Sequence, residues 1–263
     1  LRIAQDRRAL VTGGASGFGR RIARRLHEAG AAVAVLDVNG ERVEETVSGL
    51  GDRALGITAD VRSAAGVHAA VTRTVNAFGG LDTLVVSAGV FHVGTLEATG
   101  EHDWDRTLDV NLKGAFLTVK AAAWALRESG RGRIVTIASD CGRRGFARQV
   151  PYVASKFGLV GLTESVAAEL APARVTANCV CPVGCPTTGM GQQVLDWKTG
   201  RTGLSADQVM EATAATNPLG RNATEDDVAD AALFFISDHA GFLTGVTLDV
   251  DGGARLGSIP GTR

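Results

Sequence analysis

The feature that most constrains this chain is a glycine-rich turn near its start. The short apolar run Leu10-Val11-Thr12 passes directly into Gly13-Gly14-Ala15-Ser16-Gly17-Phe18-Gly19. A helical pattern follows, with Ile22, Leu26 and Ala29 at three- and four-residue spacing. A strand that feeds a helix through glycines opens a βαβ unit. In such a unit Gly13 permits the tight turn, Gly17 lets backbone approach a pyrophosphate, and Gly19 allows close helix–strand packing. The exposed N–H groups at the helix start favour the phosphate charge. Ser16 and Phe18 lie inside this turn and are counted with the candidate phosphate site.

The rest of the chain repeats the alternation. Apolar or β-branched runs at 9–12, 32–36, 54–59, 83–87, 133–139, 175–181 and 247–250 read as strands. Most lack polar alternation, as expected of a parallel sheet covered on both faces. Helical patterns occupy 19–29, 64–78, 104–128, 153–170 and 224–237. The last starts with Thr224 followed by Glu225, Asp226 and Asp227, an N-cap with a negatively charged first turn. The expectation is one doubly wound Rossmann-type α/β domain over residues 1–263. Its seven-stranded parallel sheet carries helices on both faces. At 263 residues and 45% hydrophobic, the chain can bury one large core. One long stretch, 184–217, resists this reading. It begins with glycines, holds at most a short helix before Asn217-Pro218, and is expected to be a lid over a substrate.

Charge and cysteine usage exclude several functions. A net charge of −1 gives no electrostatic case for nucleic acid or an anionic membrane. No apolar run approaches the roughly 18 residues of a membrane helix. Residues 1–8 carry Arg2, Asp6, Arg7 and Arg8 and no apolar core, unlike a secretory leader. Cys141, Cys179, Cys181 and Cys185 do not read as a disulfide framework in a chain this long. Cys179 and Cys181 share one strand face, and the set lacks a fourth ligand or a nearby His, so no metal is expected. A reducing, cytoplasmic location is expected.

The second strand ends near Asp37, followed by Val38. A carboxylate there accepts from the adenosine ribose hydroxyls and repels a 2′-phosphate. Neither Val38 nor Ser16 offers that phosphate a cation. NAD is therefore the expected cofactor.

With these motifs in order, the chain resembles the classical short-chain dehydrogenase/reductase family. The T-G-x3-G-x-G spacing of Thr12–Gly19 is its turn. Asp60-Val61 is similar to the pair that contacts adenine, and Ser87-Ala88-Gly89 to the Asn-Asn-Ala-Gly turn, with Val86 and Ser87 in place of the two Asn. Asn111 lies in Asn-Leu-Lys-Gly, within the long helical pattern, and Ser139 closes the fifth strand. Tyr152-x3-Lys156 follows, and Asp251-Gly252-Gly253 ends the last strand. Pro182-Val183-Gly184 departs from the family's Pro-Gly by one inserted residue. The resemblance implies that Pro182, Val183, Gly184 and the hydroxyl of Thr187 or Thr188 border the nicotinamide side.

Tyr152 and Lys156 are four apart and share one helix face. A free phenol titrates near pH 10, roughly, and a neighbouring ammonium favours its anion. Tyr152 is thus expected to be a general acid/base with a lowered pKa. The resemblance gives Lys156 a second task, holding the nicotinamide ribose. It also gives Ser139 the substrate oxygen and Asn111 a water relay toward Lys156. Cys141 and Gln149 join Ser139 and Tyr152 as substrate-wall residues, and Phe146 is a further wall candidate. Arg143, Arg144 and Arg148 read either as anion binders or as solvated loop charges, and His92 as a rim or a surface residue. The expected activity is NAD-dependent interconversion of a secondary alcohol and its ketone. A 3-oxoacyl-thioester reductase and a non-catalytic NAD-binding protein remain alternatives. The family's helix pairing implies a homotetramer. Leu108, Leu112, Phe116 and Val119 in one long helix, and Phe157, Val160, Leu162 and Val166 in the other, carry apolar groups on more than one face.

Overall fold

A computed structural model describes residues 4–256, so Arg2 and the outermost ends of the expected domain lie outside the described residues. In chain order the elements are β1 (Arg8–Thr12), α1 (Gly17–Glu28), β2 (Ala32–Asp37), α2 (Gly40–Ser48), β3 (Ala54–Thr58), α3 (Ala64–Phe78) and β4 (Thr83–Val86). Then come α4 (Glu101–Leu108), a π turn (Asp109–Lys113), α5 (Gly114–Glu128), β5 (Arg133–Ile137), α6 (Val150–Leu170) and β6 (Thr176–Pro182). The chain closes with α7 (Gly189–Thr202), α8 (Ala206–Ala215), α9 (Glu225–Ile236) and β7 (Thr247–Val250). The seven strands form one parallel sheet in the order β3-β2-β1-β4-β5-β6-β7.

Side-chain alternation along the strands splits the core in two. On β1, Leu10 points to a cluster built with Val67 and Val71 of α3, Val119 of α5 and Leu159 of α6. Its neighbours Ala9 and Val11 point the other way, onto Ile22 and Leu26 of α1 and Val228 and Phe235 of α9. Both faces are thus covered, which is why the strands read as continuous apolar runs.

Three local expectations differ from the structure. The helical pattern at 104–128 is two helices joined by the π turn. One extra residue per turn there re-aims the side chains around Asn111. The fifth strand ends at Ile137, and Ser139 instead caps a 3-10 turn at Asp140–Gly142. The stretch 184–217 holds two helices, α7 and α8, in place of one short one. No helix of the described residues is long and apolar enough to cross a membrane.

Candidate active site

The sheet places the carboxyl ends of β1, β4, β5 and β6 along one edge, where open α/β sheets bind ligands. A cleft of about 1390 Å3 runs along that edge. It is lined at one end by Gly13, Ser16, Gly17, Phe18, Asp37, Val38, Asp60 and Val61. Ser87, Ala88 and Gly89 line its middle, and Ser139, Cys141, Gln149, Tyr152, Lys156, Pro182, Val183, Gly184 and Thr187 its other end. Of the expected site residues, Gly19 and Asn111 stand behind the wall.

The glycine turn is set by close approach. Gly13 has φ +63°, and a Cβ there would come within 2.7 Å of the Ala88 Cα. A Cβ on Gly19 would collide with the Gly13 carbonyl oxygen. Thr12 ties the turn to the next loop, its hydroxyl accepting from the Ser87 N–H at 3.2 Å. Asp37 accepts from the Ala15 N–H at 3.3 Å and the Asn39 N–H at 3.1 Å. Ser16 caps α1 by position but its side chain makes no capping bond. Asp60 is closed on Arg62, whose hydrogen bonds hold its carboxyl below the usual range.

Tyr152 and Lys156 lie on one face of α6, both buried. The ammonium stands 5.5 Å from the centre of the phenol ring and donates to the Ile137 carbonyl at 3.0 Å. Burial pushes Lys156 down to about 8. Burial also holds the Tyr152 phenol well above its ordinary value, with the Cys141 sulfur adding to it and the Ser139 hydroxyl opposing. This corrects the expected lowering: burial disfavours the phenolate. The ring packs edge-on to Phe91 at 5.0 Å, and its hydroxyl lies 3.6 Å from Met190 Sδ. Ser139 Oγ donates to Asp140 at 3.0 Å and accepts from the Cys141 N–H. Cys141 in turn donates to Gln149 Oε1 at 3.2 Å, and burial pushes that thiol up to about 12.

Asn111 is fully committed to backbone and helix. Its Oδ1 accepts from the Val90 N–H at 2.8 Å, and its Nδ2 donates to the Val90 carbonyl and to Ser155 Oγ, both at 3.0 Å. Ser155 Oγ donates to the Tyr152 carbonyl at 2.7 Å. The π turn therefore braces the loop after β4 against the helix that carries Tyr152. A Cβ on Gly89 would sit 3.4 Å from Asn111 Oδ1 and 3.7 Å from Lys156 Nζ, so glycine keeps the space between them open.

A family model described as enoyl-(acyl carrier protein) reductase matches residues 13–255. The chain belongs to the classical short-chain dehydrogenase/reductase family. It is 40% identical over 255 residues to the (2S)-[(R)-hydroxy(phenyl)methyl]succinyl-CoA dehydrogenase subunit BbsD of Thauera aromatica, covering 96% of this chain and 98% of that one. A crystal structure of actinorhodin polyketide ketoreductase with NADPH superposes with TM-score 0.90 at 35% identity, over 97% of this chain and 98% of that one. The 3-ketoacyl-(acyl-carrier-protein) reductase from Brucella melitensis, complexed with NADH, superposes with TM-score 0.87 at 32% identity, over 95% and 98%. As a short-chain dehydrogenase/reductase the protein is an oxidoreductase that binds a nicotinamide dinucleotide.

The residues of this dehydrogenase/reductase fit that dinucleotide. Gly13 and Gly19 pack so closely on backbone that neither tolerates a Cβ, a Cβ on Gly17 would sit 3.4 Å from the cleft-lining Thr188, the Ser16 hydroxyl makes no capping bond, and Gly89 keeps backbone clear beside Lys156. Thr188 is occupied as the cap of α7, accepting from the Gly191 N–H and donating to the Cys185 carbonyl. Among the described residues, the Thr187 hydroxyl meets the Cys185 sulfur at 3.2 Å.

Other expected residues turn away. His92 faces Thr99 and Asp103, Arg143 pairs with Asp249 at 3.1 Å, and of the three arginines only Arg144 lines the cleft. Phe146 does line it. Sequence reasoning missed Phe91, Met190 and Lys198. Met190 and Lys198 lie in a stretch whose glycines read as breakers, although the Ser205-x2-Gln208 capping box of α8 was legible.

Proposed function

We propose that this protein is an NAD-dependent dehydrogenase that interconverts a secondary alcohol and its ketone. The observation that carries the reading is the convergence of Ser139, Tyr152 and Lys156 at one end of a cleft whose other end presents Asp37. Asp37 accepts from adenosine ribose hydroxyls and repels a 2′-phosphate. Ser139 positions the substrate oxygen against the Tyr152 hydroxyl. In the reductive direction the phenol, held protonated by burial, donates its proton to the carbonyl oxygen. In the oxidative direction Tyr152 would act as its phenolate, favoured by the positive charge an oxidised nicotinamide would bring beside it, and take the hydroxyl proton as the carbinol C–H bond breaks and its electron pair leaves as hydride. When bound, the nicotinamide would supply the hydride acceptor at C4 in its oxidised, positively charged form and the hydride donor in its reduced form. Lys156 holds the nicotinamide ribose, and Asn111 fixes the loop after β4. Residues 184–217 close over the ligands and exclude water.

The assay is NADH formation with a panel of secondary alcohols. Tyr152→Phe is expected to lose a factor of about 10² to 10⁴ in turnover while keeping the fold and NADH binding. Near-full activity would remove Tyr152 from this role, and equal use of NAD and NADP would remove Asp37 from its own.

We also propose a homotetramer. Phe116 and Trp124 on α5 and Phe157 on α6 are exposed, as are Phe234 on α9 and Leu248 on the edge strand β7. A monomeric mass in light scattering at micromolar concentration would overturn it.

A further inference from the structure

The cleft has a charged end that the reaction above leaves unused. Helix α7 presents Met190, Val194 and Lys198 to it, four residues apart and so on one face. Met190 marks the reacting centre, through its sulfur beside the Tyr152 hydroxyl. Eight residues of helix place Lys198 about 12 Å further along its axis. Val194 is the apolar rung between them.

Lys198 Nζ donates to Thr213 Oγ1 of α8 at 3.2 Å, and no carboxylate among the described residues pairs with it. Burial lowers its pKa, with Asp140 opposing from a distance. The other cations of the cleft are placed differently. Arg144 faces Asp140 at 3.7 Å and stacks on Phe146, and Arg62 is closed on Asp60. Arg106 is exposed on α4, while Arg20 and Arg42 belong to α1 and α2 at the glycine-turn end. A half-buried ammonium without a counter-ion is costly unless a ligand brings one.

We propose that Lys198 is a specificity-determining residue that takes the carboxylate of a hydroxy acid whose secondary hydroxyl lies against Ser139 and Tyr152. This rests on the dehydrogenase reading and narrows its substrate class to anionic alcohols. The Thr213 bond alone would make Lys198 a brace between α7 and α8, and the variants below separate the two roles.

The test compares kcat/KM with NAD for 3-hydroxybutanoate, 5-hydroxyhexanoate and 7-hydroxyoctanoate against the neutral 2-octanol. At the fitting length the acid is preferred by about 10- to 100-fold, the range of a charge-assisted hydrogen bond, and mainly through KM. Lys198→Gln collapses that ratio. Lys198→Arg keeps it, and so does Thr213→Val, which removes only the bond between the helices. No preference at any length, or a preference that survives Lys198→Gln, overturns the proposal. If no alcohol of either kind reduces NAD, the dehydrogenase reading fails. Calorimetric binding of 7-oxooctanoate to the NADH-loaded protein then decides Lys198 by itself. Binding weakened tenfold or more in Lys198→Gln, roughly the low end of that range, supports it. Equal binding, or none, overturns it.

Discussion

Two segments leave the carboxyl ends of strands to wall the same cleft, and they are held in opposite ways. The turn after β1 is fixed by backbone. Gly14 donates to the Leu36 carbonyl at 3.1 Å, Gly13 packs on Ala88, and Gly19 packs on Gly13. Its helix α1 buries Gly19, Ile22, Ala23 and Leu26. The segment after β6 is held by few side chains: α7 buries Leu195 alone and α8 buries Val209 alone. A backbone cradle suits a phosphate, whose shape never changes. Helices with so little buried apolar area can open at low cost, which suits a wall that must admit and release a substrate.

The sharpest way to break this contrast is on the rigid side. Gly19→Ala forces a Cβ against the Gly13 carbonyl oxygen. It is expected to abolish NADH binding and to cost about 1–3 kcal/mol of stability, as overpacking does. Fluorescence titration and chemical denaturation measure the two, and wild-type affinity would show that the turn is not held by close approach.

A smaller effect is expected where the rigid side is decorated by a side chain. Asp37→Ser with Val38→Arg leaves the backbone turn intact and trades a repelling carboxylate for a guanidinium. The ratio of kcat/KM for NAD over NADP should fall by about tenfold or more, the worth of a charge-assisted hydrogen bond. An unchanged ratio would mean that backbone alone reads the adenosine end.

The smallest effect is expected on the α7–α8 side, and it is local. Hydrogen exchange across residues 184–217 should slow when NADH and a ketone analogue are added, while amides of β1 and α1 change little. Equal protection with and without ligand would make both walls rigid and remove the lid.

Much of this molecule was legible in sequence because it follows from local rules. The strands are apolar runs because both sheet faces are covered, and the glycine turn is unmistakable between Thr12 and Ile22. Helix α2 escaped notice because it is short and polar and buries only Val43 and Thr46. Helices α7 and α8 were hidden by Gly189, Gly191 and Gly200 and by a weak apolar stripe. The extent of Tyr152's protonation was not legible, because burial is a property of everything packed around it.

By itself the sequence determined the α/β alternation, the phosphate turn, Asp37 at a strand end, and the shared face of Tyr152 and Lys156. Each depends on backbone sterics or on helical period within a few residues. Tertiary structure decided what depends on distant segments meeting. It made the π turn that locks Asn111 onto Val90 and Ser155, and it set Ser139 beyond β5 in the wall of the cleft that Tyr152 and Lys156 also line. It neutralised Arg144 against Asp140 and turned Arg143 and His92 away. It also brought Lys198 into the cleft with no carboxylate of the described residues within ion-pair distance, because the partners of a charge are set by packing and not by its neighbours in the chain.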